Sequence, residues 1–178
     1  MTSKIVSGNF LSDWVATTKG GYLVTDELIT RLERLESRYE IEALVSNYCH
    51  GFDKRDFDRF LSIWSEDCVW KIGPPFGDFS GHEGIHEAIH EVLWPAWAQS
   101  QHVTSNLVVE FDGADHATGL CDVDCMGLLT GSVEATFVGA TYRDRFARRG
   151  GAWKISEREV TIHYFNQFGG TTLSAPEG

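Results

Sequence analysis

The feature that most constrains this chain is a change of hydrophobic period near Gln101. Upstream, apolar residues recur at helical spacing, and downstream they alternate, so the chain reads as helices followed by strands. From Thr25, a capping residue followed by Asp26 and Glu27 at the positive end of a helix, Leu28, Leu32 and Leu35 open a stripe. The stripe resumes at Ile41, Leu44, Val45 and Tyr48, which predicts one long helix, or two joined ones, ending near Gly51. Phe57, Phe60, Leu61 and Trp64 predict a short second helix, which leaves Asp53 between the two. Cys68 to Ile72 reads as a strand broken by Pro74 and Pro75, and Ile85, Ile89, Leu93 and Trp97 predict a third helix from near His82 that Pro95 ends or kinks. Strands are expected over 102–111, 117–129, 133–146 and 153–165, separated by Gly113, by Thr130 with Gly131, and by Gly150 with Gly151. Their short links make them antiparallel neighbours, so the expected fold class is α+β, a curved and mostly antiparallel sheet wrapped over N-terminal helices.

A chain of 178 residues is long enough for one sizeable core and short for two ordinary domains. Fifteen Lys and Arg stand against 26 Asp and Glu, a formal net charge of -11, which repels phosphate backbones and anionic lipid surfaces. Neither nucleic acid nor a membrane is an expected partner. Ile5 to Val15 is interrupted by Gly8, Asn9 and Asp13, and no apolar run reaches the ~18 residues that span a bilayer, so a cytoplasmic location is expected. Cys49, Cys68, Cys121 and Cys125 form no CxxC pair and are read as reduced, packed thiols.

His82-Glu83-Gly84-Ile85-His86 and His86-Glu87-Ala88-Ile89-His90 are overlapping HExxH motifs, a pattern that in zinc proteases places two histidines and a water-activating glutamate on one helical face. The HExxHxxGxxH extension is absent, and an exposed polar face explains the same spacing, so no metal site is assigned. Asp53 and His102 carry more weight. If the sheet curls over the helices, both enter one cavity, where a carboxylate fixes the imidazole tautomer and leaves the other nitrogen as a base. The plain alternative is an Asp53 helix cap and a His102 satisfied by backbone. His102, Thr104, Asn106, Val108 and Glu110 share one strand face by parity. Arg158 stands mid-strand in phase with Val160, Ile162 and Tyr164, where a charge needs a facing anion. The alternatives are a cavity, or an ion pair with Glu157 or with a cross-strand carboxylate such as Asp122 or Asp124. GxSxG, Walker and strand-led GxGxxG motifs are absent from the sequence.

Asp53-Lys54-Arg55, Ser62-Ile63-Trp64, Asp67, Trp70, Leu93-Trp94-Pro95, His102, Asn106-Leu107, Glu110-Phe111, Asp122-Val123, Thr141-Tyr142, Trp153-Lys154 and Tyr164-Phe165 occur here in that order. Over about residues 28 to 166 this order resembles the SnoaL-like family, in particular its hexachlorocyclohexane dehydrochlorinases and more distantly scytalone dehydratase. The resemblance implies a cone-shaped barrel of the nuclear transport factor 2-like, cystatin-like kind, with 1–25 an N-terminal extension, 26–168 the domain and 169–178 a tail. It implies a homo-oligomer, trimer or dimer, and no cofactor. It also implies that His102 is a base, Asp53 its orienting carboxylate and Arg158 an aid to the departing anion. Tyr48, Phe52, Trp64, Asn106 and Tyr142 fall where substrate contacts are expected. A dehydrochlorinase pocket lysine is Tyr48 here, and the tyrosine preceding the aspartate of scytalone dehydratase is Phe52.

The expected function is a cofactor-independent lyase or isomerase that abstracts a carbon-bound proton from a small, mostly apolar, cyclic molecule. The competing expectation is a non-catalytic ligand-binding or assembly module of the same fold.

Overall fold

A computed structural model describes residues 21–174; the sequence positions before and after these, including most of the expected N-terminal extension, lie outside the described residues. The chain divides into two units, Met1–Arg38 and Tyr39–Gly178.

The first helix, α1 (Gly21–Asp53), is a single helix as the spacing predicts. Its two apolar runs differ in a way the sequence reading joined into one. Leu28, Leu32 and Leu35 are exposed, whereas Ile41, Leu44, Val45, Tyr48 and Phe52 are buried. At about 100° per residue the two runs fall on opposite sides of an ideal helix, so they are separate stripes.

All other elements belong to the second unit. α2 (Phe57–Ser62) is capped by Asp56, whose carboxylate accepts from the Arg59 amide at 3.1 Å. Asp53 is therefore free of the capping role. β1 (Trp64–Gly73) pairs with β2 (Gly77–Ser80) in a hairpin around the two prolines, a strand too short to leave a period in the sequence. The third helix starts as α3 (Gly81–Glu87), widens into a π-helical stretch (Ala88–Leu93), and closes with α4 (Trp94–Ala96), which contains Pro95. Ile85, Ile89 and Leu93 are spaced by four, which drifts around an α-helix; the wider turn keeps all three buried on one side.

The period-two region forms β3 (Trp97–Phe111), β4 (His116–Leu129), β5 (Ala135–Arg149) and β6 (Ala152–Phe168), all consecutive antiparallel neighbours. β1 adds parallel to β6, which gives a six-stranded sheet of order β2-β1-β6-β5-β4-β3. The alternation buries Cys121, Val123 and Cys125 of β4, Ala140 and Tyr142 of β5, and Trp153 and Ile155 of β6 together with the second half of α1. The architecture is the expected α+β sheet over helices.

One parity expectation is corrected. Pairing along β3 shifts between Ser105 and Val108, and Asn106 adopts φ +56, so a bulge reverses the phase of the strand. Beyond it Val109 is buried and Val108 exposed, which separates Val108 and Glu110 from the His102 face. Asn is one of the few side chains that tolerate this backbone region.

Candidate active site

Asp53 ends α1 and His102 lies near the start of β3, and three devices bring them together. Gly51 lets α2 approach closely: a Cβ there would meet the Phe60 backbone at 2.8 Å. Arg55, left-handed at φ +57, turns the chain out of α1, donates to the Trp97 carbonyl and stacks 5.2 Å from the Trp94 ring. The Trp94 indole in turn donates to the Phe52 carbonyl at 3.1 Å. The end of α1 is thus tied to the entry of β3 on both sides of Asp53.

The Asp53 carboxylate accepts from the Ser100 hydroxyl at 2.8 Å, from the His102 amide at 2.7 Å and from His102 Nδ1 at 2.7 Å. Burial opposes its ionisation and is the largest single influence. The His102 ring and amide and the Ser100 hydroxyl outweigh it and hold the carboxyl below its ordinary range. Because the carboxylate can only accept, Nδ1 carries the proton and Nε2 has the free lone pair. No hydrogen bond to Nε2 occurs among the described residues, and the ring lines a cavity.

That cavity has a volume of about 80 Å³. At roughly 15 Å³ per water-sized body, it admits on the order of five, the size class of a small ring. Its walls are mostly apolar, from Phe52, Trp70, Leu93, Trp97, Val123 and Ile162. The Phe52 ring lies 5.0 Å from the His102 ring and Tyr48 6.0 Å from it. Tyr48 and Tyr142 also line the cavity, lie 5.5 Å apart ring to ring and have raised pKa values because they are buried. Cys125 Sγ is 3.8 Å from His102 Nδ1, and burial pushes this thiol up to about 12.

Arg158 stands behind this wall rather than on it. It is fully buried, pairs bidentately with Asp144 at 2.7 Å and 2.7 Å, and lies 4.3 Å from the Tyr48 ring and 4.1 Å from the Tyr142 ring. Burial pulls the guanidinium toward neutrality, but Asp144 overrides it and holds the group charged. The partner is a cross-strand carboxylate of the expected kind, but it is Asp144 rather than Asp122 or Asp124. Asp144 sits directly across the β5–β6 register, while Asp122 bonds Asn106 and Thr141, and Asp124 bonds Tyr164.

The sequence expectations therefore divide. Asp53, His102, Tyr48, Phe52 and Tyr142 converge. Trp64 is a core residue stacked 5.3 Å from Trp70, and Asn106 is on the exterior with Asp122. Ser100, Asp144 and Trp70 are additions. Trp70 lines the cavity, and both its Nε1 and one Arg158 nitrogen are buried without a hydrogen-bond partner. Trp70 has a place in the order of matched residues, whereas Ser100 and Asp144 had strand alternation as their signal, and alternation does not reveal which strands face each other.

His82 contacts the Trp64 carbonyl at 3.3 Å, while His86 and His90 are exposed, lie 4.4 Å apart ring to ring and pack on Phe57, so the HExxH histidines bring two rings together and not three. Among the described residues there is no group of three or more His, Cys, Asp or Glu that could hold a metal ion. A larger open groove of about 760 Å³ runs past Asp58, Asp67, His82, Arg149 and Lys154, but it contains no base oriented by a carboxylate.

The SnoaL-like domain family matches residues 33–159. The chain belongs to the SnoaL-like family. Hexachlorocyclohexane dehydrochlorinase 1 of Sphingobium indicum is 36% identical over 145 residues, which cover 82% of this chain and 94% of that protein. The crystal structure of LinA superposes with a TM-score of 0.79 at 35% identity, over 82% of this chain and 99% of that one. A scytalone dehydratase-like protein from Novosphingobium aromaticivorans has a TM-score of 0.69 at 18% identity, over 79% and 93% of the two chains, and shows the fold alone. The SnoaL-like chain thus has the nuclear transport factor 2-like, cystatin-like fold expected of it. No helix among its described residues is long and apolar enough to cross a membrane.

Proposed function

We propose that this SnoaL-like protein is a cofactor-independent lyase or isomerase that removes a carbon-bound proton from a small, mostly apolar, cyclic substrate. The observation that carries the reading is the 2.7 Å contact between Asp53 and His102 Nδ1, with the ring on the wall of a mostly apolar cavity. The likeness to hexachlorocyclohexane dehydrochlorinases supports the same class of chemistry.

His102 Nε2 takes the proton, and the imidazolium that forms is stabilised by the Asp53 carboxylate. The C–H electron pair moves into a new double bond as a β-substituent leaves, or onto a conjugated oxygen. Tyr48 supplies the hydrogen bond to the departing or developing anion. Arg158, its charge balanced by the Asp144 carboxylate and shielded by the two tyrosine rings, acts through Tyr48 and Tyr142 rather than by touching the anion. Trp70 Nε1, a buried donor with no partner, is a second group that a polar substituent would satisfy. The same reading includes a cytoplasmic homo-oligomer, whose size light scattering would give.

The test is turnover of a panel of cyclic halides, alcohols and β-hydroxyketones, read as product and as solvent deuterium incorporation. A general base contributes roughly 10²–10⁴-fold, so His102→Ala should lower turnover at least a hundredfold on any substrate found. Near-normal turnover by that variant would sink the assignment. Tight binding without turnover by the native protein would favour the binding-module alternative.

A further inference from the structure

The exposed stripe on α1 is unaccounted for by the proposed chemistry. Leu28, Leu32, Leu35 and Tyr39 are 51%, 58%, 64% and 74% exposed, in contrast to Ile41, which is fully buried two residues on. Their spacing of four, three and four is that of consecutive d, a, d and a positions of a heptad, and places them within about 60° of each other on an ideal helix. On an ideal helix its residues fall on the side opposite Ile41, Leu44, Val45 and Tyr48, so the two runs are separate stripes. Its first residues also precede position 33, where the family match begins.

Charge identifies the occupant. With Leu28 and Leu35 at d, and Leu32 and Tyr39 at a, Arg31 occupies a g position and Glu36 the following e position. In a parallel pair of identical helices, g faces the e position five residues later in the partner, so Arg31 of each copy meets Glu36 of the other, twice by symmetry. An antiparallel pair sets g against g and e against e, which opposes like charges. Both side chains are exposed. From this we infer that the N-terminal half of α1 is a parallel self-association surface whose occupant is the same segment of a second copy of the chain. The inference is independent of the chemistry proposed for the cavity.

Two heptads bury less than the roughly 1,200 Å² of a standard interface, so the pairing is reversible and concentration dependent. Two measurements on the full chain test it. In the first, Leu35→Cys is oxidised mildly across a concentration series. The native cysteines are buried, so the introduced thiol dominates. Parallel pairing places identical d positions together and gives a disulfide-linked dimer, whereas an uncross-linked but freely alkylated thiol, or one shielded from alkylation by its own chain, overturns the inference. In the second, sedimentation velocity follows Arg31→Glu, which should weaken association about tenfold, and Arg31→Glu with Glu36→Arg, which should restore it. Rescue by the double exchange separates pairing from misfolding; equal behaviour of the native and singly exchanged proteins overturns the proposal.

Discussion

The Asp53 carboxylate accepts three hydrogen bonds inside the protein, so its ionisation is coupled to the stability of the fold. Its pKa is lowered on folding, burial opposing and the His102 and Ser100 contacts prevailing. A depressed carboxyl stabilises in full above the unfolded value, about 3.9, and the contribution fades as pH falls through the folded value. The urea midpoint of the native protein should therefore drop more steeply below about pH 4 than that of Asp53→Asn. A second residue-scale prediction concerns Asp144. Removing one member of a fully buried ion pair leaves an uncompensated charge, so Asp144→Ala should destabilise by about 3–5 kcal/mol in chemical denaturation. An apolar exchange of both Asp144 and Arg158 should cost less than that single change. The Asp–His contact was legible from the order of matched residues, in which Asp53 and His102 each have a place although 49 positions separate them, and a sheet that curls over the helices joins them. The partner of Arg158 was not legible, since it depends on a cross-strand register that alternation within one strand does not specify.

At the scale of elements, the link between α1 and β3 determines whether the pair is assembled. Arg55 bonds the Trp97 carbonyl and stacks on Trp94 without lining the cavity, so it is a positioning residue. Misplacement of a base by about 1 Å can cost up to a hundredfold, and Arg55→Ala should lower kcat by about ten- to a hundredfold with little change in KM. A positioning role also requires that the low-field proton resonance of the His102 Nδ1–H weaken in this variant; an unchanged resonance with reduced kcat would assign Arg55 some other part. Element identity was legible wherever a period ran for a dozen residues, as in α1 and β3 to β6. It failed at β2, which is four residues long, and at the π-helical stretch, where spacing by four fits a widened helix as well as an α-helix. The bulge at Asn106 has the same root. A single left-handed residue reverses the phase of everything after it, and periodicity counts have no term for it.

For the whole molecule, the distinguishing property is a small, mostly apolar cavity whose hydrogen-bond donors are few and named. The fold was legible from the helix-to-strand switch and the short glycine links, but cavity size and the identity of the donors arise only when β1, β3 to β6, the end of α1 and the π-helical stretch close together. Phenol, chlorobenzene and toluene have nearly the same size and shape and differ in one substituent, so they separate donor chemistry from apolar fit. An apolar cavity without a suitably placed donor ranks toluene and chlorobenzene above phenol, because phenol gives up a hydroxyl–water bond worth about 1–3 kcal/mol on entry. A Tyr48 or Trp70 donor at the substituent offsets that loss for oxygen far better than for chlorine, whose acceptor strength is weak. Calorimetric titration of the native protein should therefore find phenol bound at least as tightly as toluene, and Tyr48→Phe should move the ratio about fivefold toward toluene, one hydrogen bond being worth about 1 kcal/mol. The ratio is taken within each variant, so a general loss of folded protein cancels. Should toluene be favoured equally by both proteins, Tyr48 has no polar role in the cavity, and the stabilisation of the departing group must come from Trp70 or be absent. Should phenol be favoured over chlorobenzene in the native protein and not in Tyr48→Phe, the search for a substrate narrows to oxygenated rings, a departure from the halogenated substrate named for the dehydrochlorinase relatives.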